Sequence, residues 1–322
     1  VSTTCNQTAC NDWLRFNSLC DALRYNGTLD LRNYEDLNGT AVLSLSNCVL
    51  QGPSPRNLIF VARNGSSFDI TFVNCTMWDT SVIFVAVAPG YTAADVVSGG
   101  TGASVGNVTN ATVVVRSSTI SRSSPQTIFF SRPSSSSPAV AWVDDWNGPI
   151  IGGFFFHTAG QLSVTVESQS TLSAVASGGL GARNLYFSAY QIDHLRIAVQ
   201  SSAVTATATD GSEQTAHAVV VWDTLLRTEV NISIGDRSTV RAAGYQSAAA
   251  IALLTFANGA AVVDVAIDGR CLVTAISNAT ANAIVFRDGS VESLNVAILG
   301  DSSVNVAAVG PGLRTFSSGL AV

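Results

Sequence analysis

Apolar and polar residues alternate strictly along five short segments between Leu162 and Ile298. In each segment a branched apolar residue is followed by a small or polar one, which is the pattern of a β-strand with one buried face. The segments lie 33, 35, 33 and 31 positions apart, measured between their central residues Val164, Ile197, Ile232, Val265 and Val296. A nearly constant period of this length is typical of repeat proteins, in which each unit buries its apolar face against its neighbours.

Each period contains two further short apolar segments. The second follows closely behind a Ser, Thr or Cys and is marked by Leu172, Val204, Val240, Leu272 and Val304. The third falls at 184–187, 218–221, 251–254 and 283–286. Three strands per period without a helical segment predict an all-β fold, a single-stranded parallel β-helix with coils about 4.8 Å apart. The general preference of parallel crossovers makes it right-handed. Weaker copies of the first segment, around Leu43, Ile70 and Val113, bring the total to about eight coils.

Residues 1–36 do not follow the repeat, and we expect them to form a small helical, disulfide-bonded cap. Asn11 or Asp12 is a suitable N-cap residue. The helix that follows would carry on one face Trp13, Leu14, Phe16, Leu19, Cys20 and Leu23. Such a cap is needed because the edges of the first coil would otherwise pair with other chains. Residues 37–322 are predicted to form the β-helix, with loop insertions near 89–107 and 121–153.

Composition agrees with this architecture and excludes several functions. Hydrophobic residues make up 47% of the chain and charged residues 12%, so material for a core is ample. No apolar run reaches the ~18 residues of a transmembrane segment. The pI is near 4.9 and the 16 basic residues, all Arg, are scattered, so nucleic acid is not an expected partner. No metal-site spacing, phosphate-binding glycine loop or nucleophile motif is present, so we expect neither a cofactor nor an enzyme. His194 and His217 lie within strand segments and are interpreted as residues of a rim or face.

Six cysteines are the second informative feature: Cys5, Cys10, Cys20, Cys48, Cys75 and Cys271. Cys48 and Cys75 each follow the central residue of their coil by five positions, so they should stack on adjacent coils at a distance that a disulfide tolerates. Two of the three cap cysteines would form a second disulfide, which leaves one cap cysteine and Cys271. Cys271 is then either a buried free thiol or the partner of a cap cysteine in the next molecule.

Nine Asn-x-Ser/Thr sequons occur, at Asn6, Asn26, Asn38, Asn64, Asn74, Asn107, Asn110, Asn231 and Asn278. Each is a candidate site for a covalent N-glycan, and their density favours a secreted glycoprotein. The cysteines favour the same oxidising compartment. The chain begins at Val1 rather than Met, which is consistent with removal of a signal peptide. We therefore expect an extracellular or cell-surface location.

One cluster carries residues suited to carbohydrate chemistry. Asp144 and Asp145 are flanked by Trp142 and Trp146 and are followed by His157. Clustered carboxylates perform acid–base catalysis on glycans, and parallel β-helices include pectate lyases and polygalacturonases. The other interpretation is an exposed loop tip whose aromatic side chains pack on the coil.

Three segments have similar sequences that resemble those of a known family: residues 110–120, 194–204 and 230–240. They are similar to the dispersed gene family surface proteins of trypanosomes and other kinetoplastids, over about residues 107–310. The resemblance implies an extracellular, glycosylated, repeat-built protein that acts in attachment. This chain is much shorter than that family and lacks its membrane-spanning C-terminal part, and no diagnostic catalytic motif supports the likeness.

These features together predict an extracellular structural glycoprotein. We expect a rod-like subunit that associates head-to-tail into a filament or surface appendage, or an adhesive stalk, with copies of itself or other surface proteins as partners. The last coil, near residues 304–322, would stack on residues 1–36 of the next molecule, and a contact of this heterologous kind generates an open filament unless it closes into a ring. The alternative is a polysaccharide-active enzyme resembling pectate lyase, or a glycan-binding β-helix.

Overall fold

The chain folds as a parallel β-helix in which most strands pair with the strand one coil before and the strand one coil after. The computed structural model describes residues 19, 20, 23, 27–52, 55–92, 105–124, 127–128, 131–134, 137–143, 146–209, 215–255, 261–287, 291–308 and 316–321. The predicted fold class is confirmed.

The strands follow one another in the order of the coils. A short 3-10 helix at Leu31–Tyr34 lies between the first and second strands. In the N-terminal half they are β1 (Thr28–Asp30), β2 (Thr40–Ser46), β3 (Val49–Leu50), β4 (Arg56–Arg63), β5 (Ser66–Val73), β6 (Thr76–Met77), β7 (Thr80–Val87), β8 (Val108–Arg116), β9 (Thr119–Arg122), β10 (Thr127–Ile128), β11 (Ser131–Ser134), β12 (Ser137–Val143) and β13 (Trp146–Asn147). In the C-terminal half they are β14 (Ile150–Glu167), β15 (Thr171–Ala176), β16 (Ala182–Gln200), β17 (Ala203–Ala208), β18 (Thr215–Gly235), β19 (Thr239–Gly244), β20 (Ser247–Thr255), β21 (Ala261–Ile267), β22 (Leu272–Ser277), β23 (Thr280–Arg287), β24 (Val291–Ile298), β25 (Ser303–Ala308) and β26 (Phe316–Ala321).

Face A of the β-helix is formed by β2, β5, β8, β21, β24 and the second halves of the long strands β14, β16 and β18. Its inward ladder joins, in register, the residues Leu43, Ile70, Val113, Val164, Ile197, Ile232, Val265 and Val296, which number coils 1 to 8. These are the central residues that the period identified. A slip of one residue would have turned every one of them outward, so the predicted repeat is confirmed.

Face B is formed by β3, β6, β9, β15, β17, β19, β22 and β25. Its inward ladder contains Leu50, Met77, Ile120, Leu172, Val204, Val240, Val273 and Val304. The prediction was wrong at Leu272, which is 37% exposed, while Val273 is fully buried. The corner before face B varies in length by one residue, so spacing alone does not decide which of two adjacent apolar residues points inward.

Face C is formed by β1, β4, β7, the first halves of β14, β16 and β18, and then β20, β23 and β26. In coils 1 to 4 its inward ladder consists of four stacked rings, those of Phe60, Phe84, Phe154 and Phe187. Successive ring centroids lie 5.2, 5.0 and 4.8 Å apart. This spacing matches the rise between coils, because parallel strands lie about 4.8 Å apart.

The corner between faces A and B contains a ladder of small polar side chains, here called the corner ladder: Cys48, Cys75, Ser118, Ser170, Ser202, Ser238, Cys271 and Ser302. Each Ser oxygen accepts the backbone N–H of the rung one coil earlier, as in the 3.1 Å bond from the Ser118 N–H to Ser170 Oγ. The ladder therefore satisfies buried backbone donors at a place where the strands do not.

Residues with left-handed backbone conformation precede each rung of the corner ladder. A single one occurs at Asn47, Asn74, Ser117 and Ser201. Two occur in the corners at 168–169, 236–237, 269–270 and 300–301. The corners with two such residues are the ones in which the rung follows the central residue by six positions rather than five, so corner length accounts for that difference.

The cap covers coil 1. Leu19, Cys20 and Leu23 are helical, and Leu23 is buried in the core of the β-helix. Strand β1 pairs with β4, with Leu29 opposite Phe60, so the cap supplies a rung of face C before coil 1. Residues 28–30 thus belong to the β-helix, ahead of the boundary predicted at residue 37. Most of the predicted helix lies outside the described residues.

The insertion predicted as a loop near 121–153 is shorter than expected and contains an antiparallel hairpin. Its first two residues belong to β9 and its last four to β14. Between them, β11 pairs with β12 and β10 pairs with β13. The insertion precedes the third strand of coil 3, because β14 pairs with β7 on face C. In the other insertion, near 89–107, residues 93–104 lie outside the described residues, and Val105 forms a bridge with Val87.

The outer side of face C is apolar in coils 1 to 6, unlike the outer side of an ordinary solvated sheet. Val61, Ile83, Val85, Phe155 and Val220 point away from the core, yet each is at most 3% exposed. The same second cluster includes Ile150, which directly follows the hairpin insertion. Face C is therefore buried on both sides, and for this reason its strands are almost continuously apolar.

Candidate functional site

The predicted glycan-site cluster falls largely outside the described side chains. Asp144 and Asp145 lie outside the described residues, and for Trp142 and Trp146 only the backbone is described. Both tryptophans lie in strands of the hairpin insertion, β12 and β13. His157 lies in β14, and its side chain is the one member of the cluster whose surroundings are known.

His157 is packed at the surface rather than extended into solvent. Its ring stacks on Tyr190, with centroids 5.3 Å apart, and its backbone N–H donates to the Gly106 carbonyl at 2.8 Å. Burial lowers the pKa of His157 below its ordinary value, and Nδ1 is buried without a hydrogen-bond partner. His157 is therefore a neutral ring at neutral pH, held by stacking.

Four side chains form a second cluster on the outer side of face C, here called the arginine cluster: Arg183, Tyr186, His217 and Trp222. The Arg183 guanidinium carbon lies 4.5 Å from the centroid of the Tyr186 ring and 4.7 Å from that of Trp222. Arg183 and His217 are in register on adjacent coils, and both are buried. A desolvated cation between two aromatic faces contributes about 2 kcal/mol.

Electrostatics in the arginine cluster keep His217 neutral. Burial, and to a smaller extent the charge of Arg183, lowers the pKa of His217 to about 3. Sequence reasoning interpreted His217 as a rim or face residue and passed over Arg183. The available signal was that Arg183 and His217 each directly precede the third segment, at the same position in adjacent coils.

A buried arginine anchors the start of the hairpin insertion. Arg122 Nη1 donates to the carbonyls of Arg56 at 2.7 Å and Asp79 at 3.1 Å, so one side chain joins coils 1, 2 and 3. Burial alone would raise the pKa of Asp79, but hydrogen bonds from Ser124 and Ser123 and the charge of Arg122 outweigh it and lower that pKa. The resulting ion pair and hydrogen bonds make this anchor structural.

The disulfide prediction for the N-terminal coils was wrong. Cys48 is bonded to Cys20 of the cap, with Cα atoms 5.5 Å apart, and Cys75 is a free buried thiol. Cys48 belongs to coil 1, so it has one neighbour in coil 2 and another in the cap, and spacing along the repeat identifies the first alone. Cys5 and Cys10 lie outside the described residues.

Cys271 is a free thiol and is 2% exposed. Its sulfur lies 3.4 Å from the Ile234 carbonyl oxygen and 2.9 Å from that of Asp268. The Ser hydroxyls of the corner ladder contact backbone carbonyls in the same way. The sequence left two interpretations of Cys271 open, and in the structure it is a buried free thiol. An intermolecular disulfide through Cys271 is contradicted, because its sulfur is enclosed in the ladder.

The described sequons all lie at the surface. Asn38, Asn74, Asn110 and Asn278 are exposed, whereas the others are partly buried, namely Asn64, Asn107 and Asn231. Asn6 and Asn26 lie outside the described residues. Two sequons of adjacent coils are in contact at the corner between faces C and A, where the Asn107 N–H donates to Asn64 Oδ1 at 2.9 Å. Glycosylation at any of these positions stays a prediction.

Comparison with family models, with curated proteins and with solved structures finds no match for this chain. The likeness to the kinetoplastid dispersed gene family surface proteins therefore stays a prediction. Within the described ranges, no group of three or more His, Cys, Asp or Glu converges as ligands for a metal ion. No helix in the described part of the chain has the length and apolar character of a membrane span.

Proposed function

We propose that this chain is an extracellular, glycosylated structural subunit, a β-helical building block of a surface rod, appendage or adhesive stalk. The observation that carries the proposal is the placement of the sequons. In the described part of the chain, seven sequon asparagines fall on turns, corners or outward strand positions, and none is buried. A chain of this kind accepts glycans without disturbing its ladders. The Cys20–Cys48 disulfide supports the same oxidising compartment.

Within this role we propose end-to-end association of copies. The inward residues Leu294, Val296 and Val304 of coil 8 are partly exposed, whereas their counterparts Val263, Val265 and Val273 in coil 7 are buried. Coil 8 thus presents an apolar surface rimmed by strand edges, and such edges pair with further strands. The occupant we assign is the cap, residues 1–36, of a second copy. Because the thiol of Cys271 is enclosed, the contact would be non-covalent at that end.

Mapping glycan sites on protein from its native source tests the extracellular role. Enzymatic removal of N-glycans converts each occupied Asn to Asp, which peptide mass spectrometry detects. We expect conversion at exposed sequons such as Asn38, Asn110 and Asn278. Conversion at none of the nine sequons would overturn the glycoprotein part of the proposal.

A polysaccharide-active enzyme or glycan-binding β-helix stays the alternative, with Asp144 and Asp145 as its candidate carboxylates. Its test is cleavage of polyuronides by the full chain. Activity that disappears in both Asp144→Asn and Asp145→Asn variants would favour the enzyme over the structural subunit. Binding of an oligosaccharide without cleavage would instead favour the glycan-binding β-helix.

A further inference from the structure

Three cysteines converge at the cap end of the corner ladder. Cys48 is the rung of coil 1, Cys75 is the aligned rung of coil 2, and Cys20 of the cap is bonded to Cys48. The Thr76 N–H donates to the Cys48 carbonyl at 2.7 Å, which holds the two rungs side by side. Adjacent rungs are about 4.8 Å apart, within the Cα separation that a disulfide tolerates. Cys48 therefore has two partners within disulfide range, and it is bonded to one of them.

The free thiol of Cys75 is already directed at coil 1. Its sulfur lies 3.3 Å from the Leu45 carbonyl oxygen of coil 1 and 3.5 Å from that of Val73 in its own coil. Coil 1 lies between the cap and coil 2, so Cys75 approaches Cys48 from the side opposite to Cys20. This is the direction that exchange requires, because the attacking and leaving sulfurs occupy opposite sides of the central one.

We propose that Cys20, Cys48 and Cys75 form a thiol–disulfide exchange site, in which transfer of the disulfide from Cys20–Cys48 to Cys48–Cys75 releases the cap. The Cys75 thiol gives its proton to solvent, and its sulfur attacks Cys48 Sγ. The bond from Cys48 to Cys20 breaks, and the electron pair leaves with Cys20, which takes up a proton. One disulfide and one thiol are present before and after, so no oxidant or reductant is consumed.

The site is held in its first state by burial. Burial raises the pKa of the Cys75 thiol, although its hydrogen bonds oppose this, so the protonated, unreactive form prevails near neutral pH. Exchange therefore needs local loosening of the cap or of coil 1. Cys271 cannot take part, because it lies five coils beyond Cys75, about 24 Å along the axis.

Exchange would change what the cap can do. With Cys20 released, no covalent bond holds the cap on coil 1, and it is retained only by the pairing of β1 with β4 and by the packing of residues such as Leu19 and Leu23. The edge of coil 1 and the Cys20 thiol then become available to other chains. This inference does not depend on the proposed extracellular assembly, because it follows from the positions of three sulfurs.

Alkylation mapping on the full wild-type chain tests the exchange. The protein is incubated without reductant at temperatures below its global unfolding, then quenched in acid, denatured and alkylated with a maleimide at mildly acidic pH, and its cysteine peptides are mapped by mass spectrometry. We expect the label to move from Cys75 to Cys20 one for one as a Cys48–Cys75 peptide appears. The label on Cys271 should stay constant and serves as the internal standard. Label that never leaves Cys75, or a Cys20 peptide joined to Cys5 or Cys10, would overturn the proposal.

A matched pair of variants separates the two pairings. Cys20→Ser and Cys75→Ser are oxidised in the same glutathione buffer, and circular dichroism verifies the fold of each. We expect Cys20→Ser to contain the Cys48–Cys75 disulfide, and Cys75→Ser to retain Cys20–Cys48 without migration of the label. A folded Cys20→Ser chain in which both Cys48 and Cys75 are alkylated contradicts the proposal. If Cys20→Ser does not fold, the wild-type time course decides alone.

Discussion

Individual side chains are most constrained where a polar group is buried. In the corner ladder, Ser170 Oγ accepts the Ser118 N–H at 3.1 Å and lies 3.0 Å from the Val115 carbonyl oxygen, and Ser170 is 1% exposed. A buried backbone donor that loses its acceptor keeps its full desolvation cost. The residue types that fit such a rung are small, with one donor and one acceptor, which explains why every rung of the ladder is either Ser or Cys.

We expect Ser170→Ala to lower the free energy of unfolding by about 1–3 kcal/mol, because the Ser118 N–H is left without a partner. Ser170→Cys should cost less, since Cys75 and Cys271 occupy equivalent rungs. Denaturant unfolding followed by circular dichroism measures both. The control Ser163→Ala, at an outward position of face A, should stay within about 0.5 kcal/mol of wild type. Equal losses at Ser170 and Ser163 would show that the ladder adds nothing.

His217 predicts a pH dependence of stability. Its pKa is about 3 in the folded chain and 6.5 ordinarily, so below pH 6.5 the unfolded chain binds a proton that the folded chain excludes. Stability should therefore fall as pH falls from 6.5 towards 3, by up to about 1.4 kcal/mol per pH unit, and His217 should add no slope above 6.5. Denaturant unfolding across this range should show a shallower slope in His217→Gln. The surface variant His194→Gln serves as control, and parallel slopes in all three proteins would contradict the assignment.

Sequence predicts the orientation and partners of a side chain well where one rule applies, and poorly where two rules conflict. The eight inward residues of face A follow from alternation alone, and all were identified. The prediction for Leu272 was wrong because the alternation and the corner length place the inward residue at positions that differ by one. The prediction for Cys48 was wrong because the cap offers a second partner, Cys20, that the repeat does not reveal. Arg183 was missed because burial of this cation depends on the rings of Tyr186 and Trp222 that pack against it, and no local pattern reports those contacts.

Between the strands of faces A and B, the corner accommodates changes of one residue in the length of the repeat. Coil 4 has two left-handed residues in its corner, Ser168 and Gln169, while the flanking coils 3 and 5 each have one, at Ser117 and Ser201. The strands on both sides keep their register regardless. Corner length is thus independent of the ladders, so a change of one residue in this corner does not break the stack.

Deletion of Gln169 should therefore preserve the fold. It converts the corner of coil 4 into the shorter type found in both neighbouring coils, and it removes one left-handed non-glycine residue, whose conformation costs about 1–2 kcal/mol. This gain offsets the lost hydrogen bond from the Gln169 N–H to the Ser201 carbonyl. We expect stability within about 1 kcal/mol of wild type by thermal unfolding.

Deletion of Thr165 is the matched control for the Gln169 deletion. It lies between the inward residues Val164 and Val166 of β14, so removing it places two core residues next to each other and forces Val166 out of the ladder. Removal of a large buried side chain costs about 2–5 kcal/mol. Similar losses for the two deletions would show that corners are no more tolerant than strands.

The number of described coils sets the length of the β-helix. Seven steps between coils 1 and 8, at about 4.8 Å each, give a column only about 34 Å long. The described coils therefore form a short three-sided column, and a long rod would require further coils beyond them. The proposed contact differs from the packing between coils, because coil 8 of one copy would meet the cap of the next copy rather than another coil.

The association of copies is tested by two substitutions on one strand. Val306 of β25 points inward and is partly exposed, while its neighbour Asn305 points outward. Analytical ultracentrifugation of the wild-type chain should show a mass that rises with concentration above the 33.4 kDa of one copy. Val306→Asp should abolish this rise, because a charge would be buried without a partner at the contact. Asn305→Asp adds the same charge on the other side of the strand and should associate like wild type. A wild-type chain that stays monomeric, or two variants that behave alike, would remove the end of the β-helix as the contact surface.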